Sequence, residues 1–209
     1  MTMYSLTFRN HTSRTWTACI YQELSESRTF ETLAWLTATA SPGTESRLLW
    51  TSTLSIVLGE FGSGLNRSLY LPREYVDTEP GTTWRITAPE GRQRFERIGS
   101  AALPDQICIT NESRRVASPG VAVHGSPVCF APGLLSGSTA QFLVRPTHYV
   151  GLFRDIRAGE IIRRPVVRAL LKFGPHVMPA GTLDLREEGS NLVVDLRPGG
   201  IEYVPLASL

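Results

Sequence analysis

Few residues of this chain combine a reactive type with a useful spacing. Glu60 sits in Gly59-Glu60-Phe61-Gly62-Ser63-Gly64. In an apolar pocket its carboxyl would have a raised pKa through desolvation and could serve as an acid. His148 and Tyr149 are adjacent, and Arg154 follows closely, so an imidazole, a phenol and a guanidinium share one short stretch. Glu60 and Tyr149 are therefore the candidate catalytic residues. Trp35, Trp50, His148 and Arg154 are the candidate ligand-binding residues. The closely spaced glycines around Glu60 lack the full dinucleotide fingerprint and lead into no helical pattern, so they read as a flexible hairpin loop rather than a phosphate cradle.

Other constellations are weaker. Cys129 and His124 would make a nucleophile pair only across a turn at Ser126-Pro127, because residues five apart on a strand face opposite ways. A buried thiol beside a turn histidine is the simpler reading. His11, His124, His148 and His176 show no metal-ligand spacing. No nucleophile elbow, Walker loop or zincin motif is present. No metal and no cofactor is expected.

Composition narrows the classes. The 209 residues are 42% hydrophobic and 19% charged, which suits a folded globular chain. A net charge of +2, with acidic residues interleaved among the arginines, gives no footprint for nucleic acid. No run approaches the ~18 apolar residues that a membrane helix needs, and residues 1–6 lack the pattern of a secretory signal. A soluble, cytoplasmic protein with reduced thiols at Cys19, Cys108 and Cys129 is expected. Asn10-His11-Thr12, Asn66-Arg67-Ser68 and Asn111-Glu112-Ser113 match the glycosylation sequon and read as chance.

The elements that must position these residues are strands. Tyr4-Ser5-Leu6-Thr7-Phe8 alternates as a half-buried strand does, and with Trp16–Tyr21 it suggests an N-terminal hairpin across the turn residues 10–14. Leu48 to Leu58 reads as one long run ended by Gly59. Further strands are expected at 82–87, 106–110, 140–144, 149–153, 182–185 and 192–196. Short helices fit only Ser27 to Leu33 and Arg164 to Lys172, the latter reading equally as a strand. With 14 prolines and 18 glycines as punctuation, the fold class is all-β: an antiparallel β-sandwich or barrel with few short helices. One compact domain is expected over 1–209, with room for two packed halves meeting around 90–125; no internal repeat stands out.

Several segments, in order, resemble the bacterial rhizosphere-induced protein family (RhiA-like). Tyr4-Ser5-Leu6-Thr7-Phe8 with Asn10, then Cys19-Ile20-Tyr21-Gln22, is similar to the family's opening. Leu33-Ala34-Trp35-Leu36 with Pro42, Thr44 and Trp50-Thr51 is similar to its central motif, and Gly59-Glu60-Phe61-Gly62 to a later one in which Leu58 replaces an aromatic. Pro146-Thr147-His148-Tyr149 and Arg157-Ala158-Gly159-Glu160-Ile161-Ile162 resemble two more, although Val150 stands where tryptophan is expected. The resemblance implies a diverged member and brings no activity with it.

The aromatic set of Trp16, Tyr21, Trp35, Trp50, Trp84, Phe142, Tyr149 and Phe153 fills a sheet core or lines a cavity within one. The leading expectation is a protein that binds a hydrophobic small molecule in an aromatic-lined cavity. A cofactor-independent cyclase or isomerase acting on a hydrophobic, natural-product-like metabolite is the alternative, since such chemistry leaves no motif. A structural protein that self-assembles through β edges, as a homo-oligomer, is the third.

Overall fold

Strand alternation puts Tyr4, Leu6, Phe8 and Asn10 on the buried face of the first strand and leaves the residues between them wetter. That pattern recurs through a computed structural model that describes residues 3–22, 30–64, 67–144, 148–162, 167–173, 180–189 and 191–198. Its first nine strands are β1 Met3–Asn10, β2 Trp16–Tyr21, β3 Glu31–Thr32, β4 Leu36–Ala40, β5 Glu45–Thr51, β6 Leu54–Gly64, β7 Arg67–Asp77, β8 Thr82–Thr87 and β9 Arg94–Ser100. The remainder are β10 Gln106–Asn111, β11 Pro119–Val123, β12 Ser126–Phe130, β13 Thr139–Leu143, β14 His148–Phe153, β15 Val167–Phe173, β16 Ala180–Glu188 and β17 Asn191–Pro198. The chain is all-β and sandwich-like. A single 3-10 turn, Pro89–Gly91, is the helical structure among the described residues.

Four sheets form, in the orders β17-β16-β1-β5, β15-β14-β2-β4, β13-β10-β8-β9 and β3-β12-β11-β6-β7. The orders reveal an internal duplication. β1, β2, β4 to β9 are repeated, strand for strand, by β10 to β17, with β3 as an insertion in the first copy. Each sheet joins a two-stranded ribbon of one copy to a two-stranded ribbon of the other: β1-β5 with β16-β17, β2-β4 with β14-β15, β10-β13 with β8-β9, β11-β12 with β6-β7. The copies are thus exchanged between two sandwiches. The junctions β1–β16 and β8–β10 are parallel, unlike the ladders within each copy.

The registers agree in detail. Asn10 lies opposite Leu185 where Asn111 lies opposite Ile86. The amide of His11 donates to Leu185 O at 2.8 Å, and that of Glu112 to Ile86 O at 2.9 Å. Asn10 Nδ2 donates to Arg14 O and Ala40 O at 2.7 and 2.8 Å, while its Oδ1 accepts from the Thr12 amide and hydroxyl at 3.0 and 2.7 Å. Asn111 repeats the pattern with Arg115 O, Leu134 O and Ser113. Two of the sequon matches are therefore buried Asx turns, closed by the hydroxyl two residues on. The turn's polar pair differs between copies: His11 faces Asp184 at 3.3 Å, whereas Glu112 faces Arg85 at 3.7 Å.

Core positions stay apolar in both copies: Leu6 and Ile107, Phe8 and Ile109, Ile20 and Val121, Leu48 and Phe142, Leu185 and Ile86 all belong to one contiguous cluster. β2 is buried on both faces. Trp16, Ala18 and Ile20 join that cluster, while Cys19 and Tyr21 pack outward with Ala34, Phe153 and Ile156.

Several expectations are corrected. β1 and β2 form no hairpin; each enters a different sheet, because the Asx turn at Asn10 carries the chain from one layer to the other. The run 48–58 is two strands broken at Ser52-Thr53, where the chain crosses between sandwiches. Gly59 does not end its strand. It sits at a bulge where a Cβ would lie 2.6 Å from both Leu71 O and the Tyr70 ring, and β6 runs on to Gly64. Residues 30–33 carry β3 and a bridge rather than a helix, and residues 167–173 form β15. Residues 27–29 and 164–166 of those two readings, with Asn66, Pro146, Thr147 and His176, lie outside the described residues.

Candidate functional site

The chain changes sandwich between β5 and β6 in the first copy and between β13 and β14 in the second, at equivalent places in the duplication. Beside them lies a cavity of about 250 Å³, lined mainly by carbon. Its wall includes Gln22, Trp50 and His148 together with their counterparts in the other copy, Val123, Val144 and Leu54. The cavity therefore sits on the pseudo-two-fold axis that relates the copies. An open groove of about 680 Å³ shares Ser52, Leu54 and Pro80 with it and gives it a mouth.

Strand parity aims the aromatic side chains at this point. Tyr4 of β1 and Trp50 of β5 are cross-strand partners and stack at 5.7 Å between centroids. Trp50 meets Trp35 edge to face at 5.8 Å, and Trp35 stacks on the His148 ring at 5.3 Å. Trp35 is held in turn by its indole N–H, which donates to Val123 O at 2.8 Å. Gln22 Nε2 lies 2.6 Å from His148 Nε2. The side-chain amide and the imidazole therefore share a hydrogen bond. Thr51, also in the wall, exchanges a hydrogen bond with His124 Nδ1 at 2.9 Å. Among the described residues, no Asp, Glu, Lys or Arg lines the cavity.

Of the six residues singled out in the sequence, the structure brings three together: Trp35, Trp50 and His148. Arg154 instead caps the Trp16 ring, its Cζ 3.6 Å from the centroid. Tyr149 points to the opposite face of β14 from His148 and stacks on Tyr21 at 5.4 Å. Glu60 lies away from the axial cavity, on the wall of a separate, largely polar recess that it shares with Arg73, Glu74, Arg92 and Arg115. It is well exposed, paired with Arg73 across the β6–β7 ribbon. Tyr4 and Gln22 have no role in the sequence reading. Alternation within β1 marks Tyr4 as inward-facing, but nothing local marks Gln22.

The Cys129–His124 pair does not form. The turn falls at His124-Gly125, both with positive φ, and closes the β11–β12 hairpin with Val123 opposite Ser126, so His124 is exposed at the tip while Cys129 is buried opposite Val121. Desolvation pushes the Cys129 thiol up to about 12, and burial raises that of Cys19 further. Both are packing groups, not nucleophiles. The described residues hold no group of three or more His, Cys, Asp or Glu side chains that could bind a metal ion, and no helix long and apolar enough to cross a membrane.

The chain belongs to the RhiA family, which it matches over residues 1–195. No curated protein and no solved structure matches it.

Proposed function

We propose that this RhiA-family chain is a small-molecule-binding protein whose ligand occupies the axial cavity. The observation that carries the reading is a hollow of about 250 Å³ kept open between stacked aromatics and a hydrogen-bonded Gln22–His148 pair. A recess of this size, open past the exposed Ser52 and Pro80 and backed by buried large rings, supports a ligand. It lies just below the ~300–1,000 Å³ of sites for drug-sized molecules, which suits something smaller. Native mass spectrometry of protein purified from its host tests this. A stoichiometric apolar molecule is expected, and a protein that stays bare in host extract refutes the reading.

A second reading keeps the same cavity and adds a reaction. His148, held by Gln22, puts a proton-transfer group in the wall, which a cofactor-free cyclase or isomerase would use. Conversion of the extracted molecule, lost in His148→Phe but not in Glu60→Gln or Tyr149→Phe, would favour it. Self-assembly by edge pairing is less well supported. The edge strand β7 carries Pro72, Arg73 and Glu74, residues that block or blunt strand addition.

A further inference from the structure

An exact duplication would line its own axis with the same residue twice. Most core positions come close to this, pairing one apolar side chain with another. The axial cavity does not. Gln22 and its counterpart Val123, Trp50 and Val144, and His148 and Leu54 all line it. In all three pairs one member is aromatic or hydrogen-bonding and the other aliphatic; Gln22 and Trp50 both neighbour His148, while Val123 lies opposite Leu54 in the β6–β11 ladder. The sandwich fold itself needs no such division, because the aliphatic residues satisfy the same strand positions in the second copy.

We infer that the cavity selects a neutral, planar ring system bearing one hydrogen-bonding group, an inference that rests on the small-molecule reading above. The flat Trp50 indole, stacked on Tyr4, offers one broad face, and an aromatic face prefers an offset or edge-on ring partner. The wall of Val123, Val144 and Leu54 closes the other side with carbon alone. Gln22, Thr51 and His148 supply hydrogen bonds from the polar side, with no Asp, Glu, Lys or Arg among the described lining residues. An ionised ligand would lose hydration there and meet no carboxylate, ammonium or guanidinium among the described lining residues. Size follows from volume. A 150 Å³ apolar cavity takes up benzene, so about 250 Å³ accommodates a fused bicyclic system with a small substituent.

Calorimetric titration with three probes of equal skeleton tests the inference: 2-naphthol, its saturated analogue decahydro-2-naphthol, and 2-naphthoate. 2-Naphthol is expected to bind with a Kd on the order of 10–100 μM, a usual efficiency for about ten heavy atoms. The saturated and anionic analogues are expected to bind at least ~10-fold and ~100-fold more weakly. Trp50→Val installs the residue of the equivalent position and should erase the planar preference. Because Trp50 is buried against Tyr4 and Trp35, the melting temperature also falls, and binding is compared below the variant's own transition. If the variant unfolds, Gln22→Val serves instead and should weaken 2-naphthol ~10-fold through the lost polar contact. Equal binding of the three probes, or a planar preference unchanged in the variant, overturns the inference and leaves the cavity reading intact. Failure of all three to bind overturns both.

Discussion

Replacing Asn10 or Asn111 by alanine should destabilise the protein by the same large amount at either site. Each asparagine is essentially inaccessible to water and uses both amide hydrogens and its carbonyl oxygen. In Asn10→Ala the Thr12 hydroxyl keeps its bond to Arg14 O at 3.0 Å. The Thr12 amide and the second lone pair of Ala40 O lose the partner that Asn10 supplied. At about 1–3 kcal/mol for each buried group left unsatisfied, the loss is about 2–6 kcal/mol. For a chain of this length that lowers Tm by roughly 4–24 °C. Asn111→Ala removes the matching bonds to Leu134 O and the Ser113 amide and should fall in the same range.

Asn10→Asp separates hydrogen bonding from volume. It keeps the acceptor for Thr12 but aims a second oxygen at Arg14 O and Ala40 O, where the wild type has donors. A carboxylate there is disfavoured and its protonated form can donate, so folding raises the carboxyl's pKa. The variant's deficit relative to wild type should be largest above that raised value and shrink as pH falls through it. Urea denaturation with an unchanged m-value, followed at pH 7 and pH 5, measures all of this. A loss under ~0.5 kcal/mol at either asparagine, or a loss at one site only, would refute the claim that both Asx turns hold the fold by the same bonds.

Two further outcomes follow from close packing and burial. Gly120→Ala places a Cβ 2.5 Å from Cys129 O, and Gly59→Ala places one 2.6 Å from Leu71 O. Each should cost about 1–3 kcal/mol in thermal denaturation, whereas Gly99→Ala, with open space around it, should be near neutral. In the native protein, Cys108 alone should react promptly with a maleimide at pH 8, since Cys19 and Cys129 are buried; three thiols labelling at one rate would contradict their packing. The raised thiols of Cys19 and Cys129 also set an alkaline limit. Their unfolded forms ionise near pH 8.5, so stability is unaffected below that pH and falls as pH rises towards the folded values.

The strands were legible where one face is wet. β1, β8, β10 and β14 follow from alternation or β-branched runs, and so the all-β class was within reach of the sequence. β7 and β9 were not, because Pro72 and a predominantly charged, exposed face obscure the apolar pattern of an edge strand. The duplication was written in the sequence, but in few residues. Asn10-His11-Thr12-Ser13-Arg14 and Asn111-Glu112-Ser113-Arg114-Arg115 share only the atoms that the turn uses. The intervening strands conserve apolarity, not residue identity. The cavity was illegible for a different reason: its wall draws on positions from Tyr4 to His148 that only the exchange of ribbons between the copies brings together.

The exchange of ribbons makes one more prediction, about folding. Cutting the chain between β9 and β10 separates the copies. Each fragment then retains only the ladders within its own copy, such as β1–β5, β2–β4, β6–β7 and β8–β9 in the first. The ladders that join ribbons into four-stranded sheets, β1–β16, β2–β14, β6–β11 and β8–β10, all run between copies. An isolated two-stranded ribbon is marginal in water, and without its neighbour each would expose the apolar face that builds the common core. Neither fragment should show a cooperative thermal transition alone. An equimolar mixture should recover one, together with the near-ultraviolet circular dichroism of the buried tryptophans. Cooperative folding of either fragment by itself would mean that its own ribbons can close a core, and that the exchange is a late embellishment of an autonomous unit. If both require the partner, then the crossings are obligatory for the fold, and the cavity between them forms only when both copies are in place.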